Sequence, residues 1–178
     1  MTNNDILRRL RYTFNFDDDK MMSIFAKADY EATRAEISDW LKKDDDPAYK
    51  SCSDEKFAQF LNGLINDKRG QREGEQPKPE QRLNNNIILM KLKIALNLKA
   101  EDILEILEIS EFSISKHELS AFFRKHSHKH YRICKDQVLR NFLNGLQVQK
   151  RGSTNHIVTE DKAESKESSF VWKKIPKK

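Results

Sequence analysis

The pentapeptide FLNGL occurs twice in this chain, at Phe60–Leu64 and again at Phe142–Leu146. Each copy is followed four residues later by Lys-Arg-Gly, and the two copies lie 82 residues apart. At that offset the whole of segment 3–70 aligns with segment 85–152 without a gap, and 21 of the 68 aligned pairs are identical. Solenoid repeats have shorter periods, about 20–50 residues. The chain therefore contains a duplicated domain.

Each copy predicts four short helices, because apolar residues recur at 3.6-residue spacing. In the first copy the helices lie at about 5–14 and 19–27, then from Thr33 onward, and from near Ser53 to Gly70. A hydroxyl residue followed three positions later by Glu opens the third helix in both copies, at Thr33 and Ser115, which is the pattern of a capping box. We therefore expect an all-α protein made of two tandem four-helix units related by a pseudo-two-fold axis.

Gly63 and Gly145 lie in the middle of the fourth helices, where glycine costs about 1 kcal/mol relative to alanine. Their repetition predicts that another backbone approaches closely at both positions. We expect that backbone to be the fourth helix of the other copy, so that the two units pack through their fourth helices.

Length and composition limit the class of protein. The 178 residues are 37% hydrophobic and 34% charged, and no window approaches the roughly 18 apolar residues of a membrane span. The N-terminus lacks the apolar stretch of a secretory signal. Cys52 and Cys134 are too few for a disulfide framework, and we expect buried thiols in a reducing compartment rather than redox centres. These features favour a cytoplasmic protein.

Charge and composition divide the chain into four parts. Residues 1–70 form the first repeat and carry 12 basic against 14 acidic residues, whereas residues 85–152 form the second repeat and carry 12 against 7. Residues 71–84, which contain prolines and a glycine, are predicted to be a linker. Residues 153–178 lack a core pattern and are predicted to be a disordered basic tail. The basic excess therefore lies in the second half.

A histidine-rich stretch in the second repeat raises the question of a metal site. His126, His128 and His130 alternate, and Cys134 follows four residues later. Imidazole and thiolate are ligands that zinc and copper prefer. However, the spacing matches no common structural site, and the equivalent stretch of the first repeat begins with three aspartates, 44–46. We therefore favour a solvated loop and expect no metal.

Basic residues in the same repeat suggest a nucleic-acid interface. The predicted helices at 101–108 and 116–125 have the dimensions of a helix-turn-helix. The candidate contacts are Lys116, Arg124, Lys125, Lys129, Arg132, Lys135 and Arg140. The pattern also fits the exposed face of any amphipathic helix, and the acidic loop of the first repeat would repel phosphate.

Three segments, NDILRRLRY, FLNGLINDKRG and NNNIILMKLKIALNLKAEDIL, make the chain resemble the YehS-like family of small bacterial proteins, a tandem-repeat domain of unknown function. The resemblance covers about residues 3–152. It implies an all-helical cytoplasmic protein with no established activity, cofactor or catalytic residues.

No motif in the sequence points to catalysis. The chain has no glycine-rich phosphate loop, no nucleophile elbow and no His-Glu-x-x-His pattern. We therefore expect a non-enzymatic binding or adaptor protein that uses no cofactor and recognises a protein or peptide, with self-association left open. The alternative is a nucleic-acid-binding regulator that uses the basic second repeat.

Overall fold

A computed structural model describes residues 1–152, and the predicted disordered tail at 153–178 lies outside them. The described residues form eight α-helices and no strand. The first repeat contains α1 (Asn3–Phe14), α2 (Asp18–Ala26), α3 (Arg34–Leu41) and α4 (Asp54–Arg69). The second contains α5 (Asn85–Ala95), α6 (Ala100–Ile109), α7 (Lys116–Phe122) and α8 (Asp136–Arg151). None of these helices is long and apolar enough to cross a bilayer. The two four-helix units are as predicted.

The predicted helix starts are confirmed by their hydrogen bonds. At the start of α3, the Thr33 hydroxyl accepts a bond from the Glu36 amide at 3.2 Å, and the Glu36 carboxylate accepts one from the Thr33 amide at 2.9 Å. Ser115 and Glu118 make the same reciprocal pair before α7. Both pairs satisfy backbone donors that would otherwise lack a partner.

The helix predicted at 116–125 is shorter in the structure, because α7 ends at Phe122. Beyond that point the chain turns back, and the amide of Arg132 donates to the carbonyl of Ala121 at 3.2 Å. The first repeat closes its loop in the same way, from the Lys50 amide to the Asp39 carbonyl. The returning loop thus uses a carbonyl group that a longer helix would have needed for its next turn.

The two glycines of FLNGL allow close packing of helices within each repeat. A Cβ atom on Gly63 would lie 1.8 Å from the carbonyl oxygen of Ile24 in α2, and one on Gly145 would lie 1.9 Å from that of Ile106 in α6. The predicted close approach of a backbone is therefore confirmed. The predicted partner was wrong, because the approaching backbone is the second helix of the same repeat.

The repeats meet through different helices from those predicted. Their main contacts join α1 to α8 and α4 to α5, and not the two fourth helices to each other. The glycine faces of the fourth helices are already used, because they pack on α2 and α6. The contacts are reciprocal, as a pseudo-two-fold axis requires.

The asparagines of FLNGL link the two repeats. Asn62 accepts a hydrogen bond from Nζ of Lys91 in α5 at 2.5 Å, and Asn144 accepts one from Arg9 in α1. Adjacent residues on a helix point about 100° apart. An asparagine next to the glycine therefore faces the other repeat while the glycine faces its own. Each copy of the pentapeptide thus packs its own repeat through the glycine and contacts the other repeat through the asparagine, which explains why it occurs twice.

The predicted linker follows a defined path across the junction. Gln76 Oε1 accepts a bond from the Asn66 side chain at 2.8 Å, and Glu80 forms an ion pair with Lys91 at 2.9 Å. The Leu83 amide then donates to Asp54. These bonds hold residues 71–84 against α4 and α5.

Replacement of Gly63 or Gly145 by Ala should destabilise the protein, although alanine normally favours a helix interior by about 1 kcal/mol. The added methyl group would overlap a backbone carbonyl, and overpacking of this kind costs about 1–3 kcal/mol or more. Urea denaturation monitored by circular dichroism measures the change. Gln137→Ala, at an exposed position of α8, is the control and should change stability by less than about 0.5 kcal/mol. A gain in stability at either glycine would contradict the packing.

Candidate functional site

Asparagine side chains fix the loops that follow α3 and α7. Asn86 donates to the carbonyl oxygens of Phe122 at 3.0 Å and Arg132 at 2.8 Å, and its Oδ1 accepts a bond from the Cys134 amide at 3.0 Å. Asn4 makes the same three bonds in the first repeat. Each amide is buried and uses both its donor and acceptor atoms, so the loops are held firmly against α5 and α1.

A groove of about 570 Å³ opens where α4, the linker, α5 and the loop after α7 meet. We call it the apolar groove. Its nonpolar lining comes from Ile65, Pro77, Ile87, Met90, Ile94, Phe122, Phe123 and Tyr131. Its polar lining comes from Asn62, Asn66, Arg72, Glu80, Asn84, Asn86, Lys91, Arg124 and His126. Both repeats and the linker therefore contribute to one site.

The charges in the apolar groove are only partly balanced. Lys91 is neutralised by Glu80, whose second oxygen, Oε2, is buried without a hydrogen-bond partner among the described residues. Within residues 1–152 no carboxylate pairs with Arg72 or Arg124, and Arg124 donates only to the carbonyl oxygen of His130 at 3.3 Å. The groove therefore has a nonpolar floor, an uncompensated positive charge and one unused acceptor.

The corresponding face of the first repeat has a different chemistry. Ile87 and Met90 take the places of Asp5 and Arg8. Arg8 forms an ion pair with Asp5 and reaches across to donate to the Lys42 carbonyl oxygen at 2.6 Å. At the end of α1, the guanidinium group of Arg151 lies 4.0 Å from the ring centre of Tyr12. Polar and cationic side chains thus occupy the face that is apolar in the second repeat.

The residues predicted as a weak metal candidate do not come together. Cys134 is buried, and burial, followed by the nearby charge of Asp136, raises the pKa of its thiol to about 12. His126, His128 and His130 are exposed, and the ring of His126 packs 5.0 Å from that of Tyr131. Among residues 1–152, no three His, Cys, Asp or Glu side chains are grouped so that they could hold a metal.

The predicted nucleic-acid contacts lie in four places. Lys116 forms an ion pair with Glu101 at 2.5 Å. Arg124 lines the apolar groove, and Arg140 lies near Arg9 of α1, where burial first and Arg140 second lower the pKa of the Arg9 guanidinium. The remaining four are exposed in the loop between α7 and α8, and they are Lys125, Lys129, Arg132 and Lys135.

Sequence reasoning missed the apolar residues of the groove. The signal was available in the alignment of the two repeats, where a charged pair, Asp5 and Arg8, becomes an apolar pair, Ile87 and Met90. In a helix whose other face is already buried, a change of this kind marks an exposed apolar surface.

The two repeats match a known family. The model of a family described as "Protein of unknown function (DUF1456)" matches residues 3–70 and 85–152. The chain belongs to this family. It is 45% identical over 147 residues to the family relative "Uncharacterized protein YehS" of Escherichia coli (strain K12), over 82% of this chain and 94% of that protein. No solved structure matches the chain. These findings confirm the family and the tandem repeat that the sequence predicted.

Both cysteines should resist alkylation in the native protein. Burial raises the pKa of each thiol from 9.0 to about 12, so the reactive thiolate is scarce near neutral pH. Iodoacetamide at pH 8, followed by mass spectrometry, should label Cys52 and Cys134 in urea and leave them largely unmodified without it. Rapid labelling of either cysteine in the native protein would show that its loop opens readily.

Proposed function

We propose that this protein is a non-enzymatic cytoplasmic binding or adaptor protein that recognises a protein partner through a short segment seated in the apolar groove. The observation that carries the proposal is an exposed groove with apolar walls, bordered by two arginines, Arg72 and Arg124, that pair with no carboxylate of residues 1–152. Its volume of about 570 Å³ falls within the range of about 300–1,000 Å³ that is usual for pockets that bind small molecules, so it suits a short segment of a partner.

The dimensions of the groove suit a peptide. Ile87 and Ile94 lie at separate points of the α5 wall, seven residues and therefore about 10 Å apart. Three extended residues of a peptide span that distance at about 3.3 Å each. A short extended segment can therefore place apolar side chains at both points of the wall.

A second candidate function, nucleic-acid binding, is supported by the loop between α7 and α8. The stretch from Arg124 to Lys135 contains five lysine and arginine residues and no acidic residue. However, α7 has seven residues, a length of only about 10 Å, and Lys116 at its start is already paired with Glu101. The loop is therefore better suited to contact phosphate groups than α7 is to contact the edges of bases.

Peptide binding should depend on the apolar groove. We would select a random heptapeptide display library on the full chain and measure the dissociation constants of the enriched peptides by fluorescence anisotropy, for the wild type and for the variant Ile87→Asp/Met90→Arg. That variant gives the second repeat the charged pair of the first. The new arginine should reach across the groove toward the loop after α7, as Arg8 reaches the carbonyl oxygen of Lys42. We expect at least a tenfold loss of affinity, or about 1.4 kcal/mol.

A matched pair of single substitutions supplies the control. Ile94 is 44% exposed and lines the groove, whereas Tyr12, its counterpart in the first repeat, is 47% exposed. Ile94→Arg should weaken binding, and Tyr12→Arg should leave it unchanged. Both changes are on the surface, so neither should unfold the protein. If no peptide distinguishes the wild type from the groove variants, the proposed function is wrong.

Nucleic-acid binding can be tested with mixed short DNA and RNA at about 50 and 200 mM salt, again by anisotropy. Phosphate contacts make such binding fall steeply with salt concentration. If the protein binds peptides and not nucleic acid, we expect little binding of DNA or RNA at either salt concentration. Tight, salt-sensitive binding that disappears in the triple variant Arg124→Gln/Lys125→Gln/Arg132→Gln would instead favour nucleic-acid binding over peptide binding as the function.

A further inference from the structure

We infer that the apolar groove selects segments in which apolar side chains are flanked by aspartate or glutamate. This inference rests on the proposed function and adds the chemistry of the partner. It follows from which charges around the groove are already balanced, and from the comparison of Arg124 and His126 with their counterparts in the first repeat.

The uncompensated charges lie on two different walls. Arg72 belongs to the linker, and Arg124 belongs to the loop after α7. Lys91 does not add to them, because its side chain is only 12% exposed and its Nζ atom lies 2.9 Å from Oε1 of Glu80. A segment in the groove would therefore meet a positive group on either side of an apolar floor. Apolar surroundings strengthen the attraction between these cations and an anion, because less water screens the charges.

The first repeat lacks this charge pattern. The counterpart of Arg124 is Lys42, whose ammonium group pairs with Asp39 at 2.8 Å. The counterpart of His126 is Asp44, the first of three consecutive exposed aspartates. The apolar face of α5 and the unpaired Arg124 therefore occur together in the second repeat. That coincidence favours a ligand that is both apolar and acidic.

The charge also argues against the end of the chain itself as the occupant. Four of its last nine residues, FVWKKIPKK, are lysines. Placed beside Arg72 and Arg124, they would add like charges to a site that already has an excess of cations. An acidic segment of another protein gains attraction where this segment meets repulsion.

The experiment compares three versions of a peptide selected on the groove: the parent, one with Asp and Glu replaced by Asn and Gln, and one with them replaced by Lys. Binding of each to the full-length wild type is measured by anisotropy at about 50 and 200 mM salt. We expect the amide version to bind about tenfold more weakly than the parent at low salt, and the lysine version more weakly still. The difference should shrink at high salt.

Charge-reversed variants locate the effect. Arg72→Glu/Arg124→Glu should reverse the order, so that the lysine peptide binds best. Lys129→Glu/Lys135→Glu changes the net charge of the protein by the same amount at exposed positions outside the groove lining, and it should keep the order. Circular dichroism checks that both variants are folded, and the comparison on the wild type does not depend on either.

The outcomes separate the inference from the proposed function. Peptides that need the groove but show no preference among the three versions would overturn the inference and leave peptide binding intact. An equal effect of the Lys129/Lys135 control would also overturn it, because the attraction would then be general. The absence of any groove-dependent peptide would overturn the proposed function itself.

Discussion

The contact between Gly63 and the carbonyl group of Ile24, with its repeat at Gly145 and Ile106, is the constraint on which the rest of the structure depends. It brings the fourth helix of each repeat directly onto the backbone of the second. Once that face is fixed, the neighbouring asparagine must point about 100° away, toward the other repeat. There it meets the basic residue of the opposite first helix, Lys91 or Arg9. One short motif thereby sets both the packing within a repeat and the docking between repeats.

The shared framework allows the two halves to differ where they face the surroundings. Asn4 and Asn86 hold their loops with the same three hydrogen bonds, although one loop contains three aspartates and the other contains three histidines and several cations. Loop side chains add local bonds of their own, since Asp46 accepts from the Ala48 amide and His128 accepts from the His130 amide. The bonds that both loops make to the first helix of their repeat, however, come from the shared asparagines, and the two loops differ in charge around that common framework.

Local signals explain what could be predicted from the sequence. The capping boxes at Thr33 and Ser115 and the apolar periodicity involve residues that are close in the chain, and they correctly indicated eight helices in two equivalent sets. A mid-helix glycine also indicated that a backbone comes close. It could not indicate which backbone, because a missing side chain carries no information about its neighbour. For the same reason the interface was assigned to the wrong pair of helices.

The candidate site was harder to predict because no single segment contains it. Arg124, singled out for its charge, proved to line a groove whose other walls are Ile65 of α4 and Pro77 of the linker. These residues look unremarkable in the sequence, and only the docking of the two repeats places them together. The end of α7 was also misjudged, since the bond from Arg132 to Ala121 that closes the loop depends on the fold.

The composition of the groove bears on the purpose of the duplication. One wall comes from α4 of the first repeat, and the opposite wall comes from α5 and the loop of the second, with the linker between them. A single repeat would therefore lack half of the site, and it would also leave exposed the helix faces that normally meet the other repeat. The pseudo-two-fold axis relates the α4–α5 contact to that of α8 with α1, but there Arg8 and Asp5 replace the apolar floor. The two positions are therefore chemically unlike, and the proposed binding function predicts one occupant per chain rather than two.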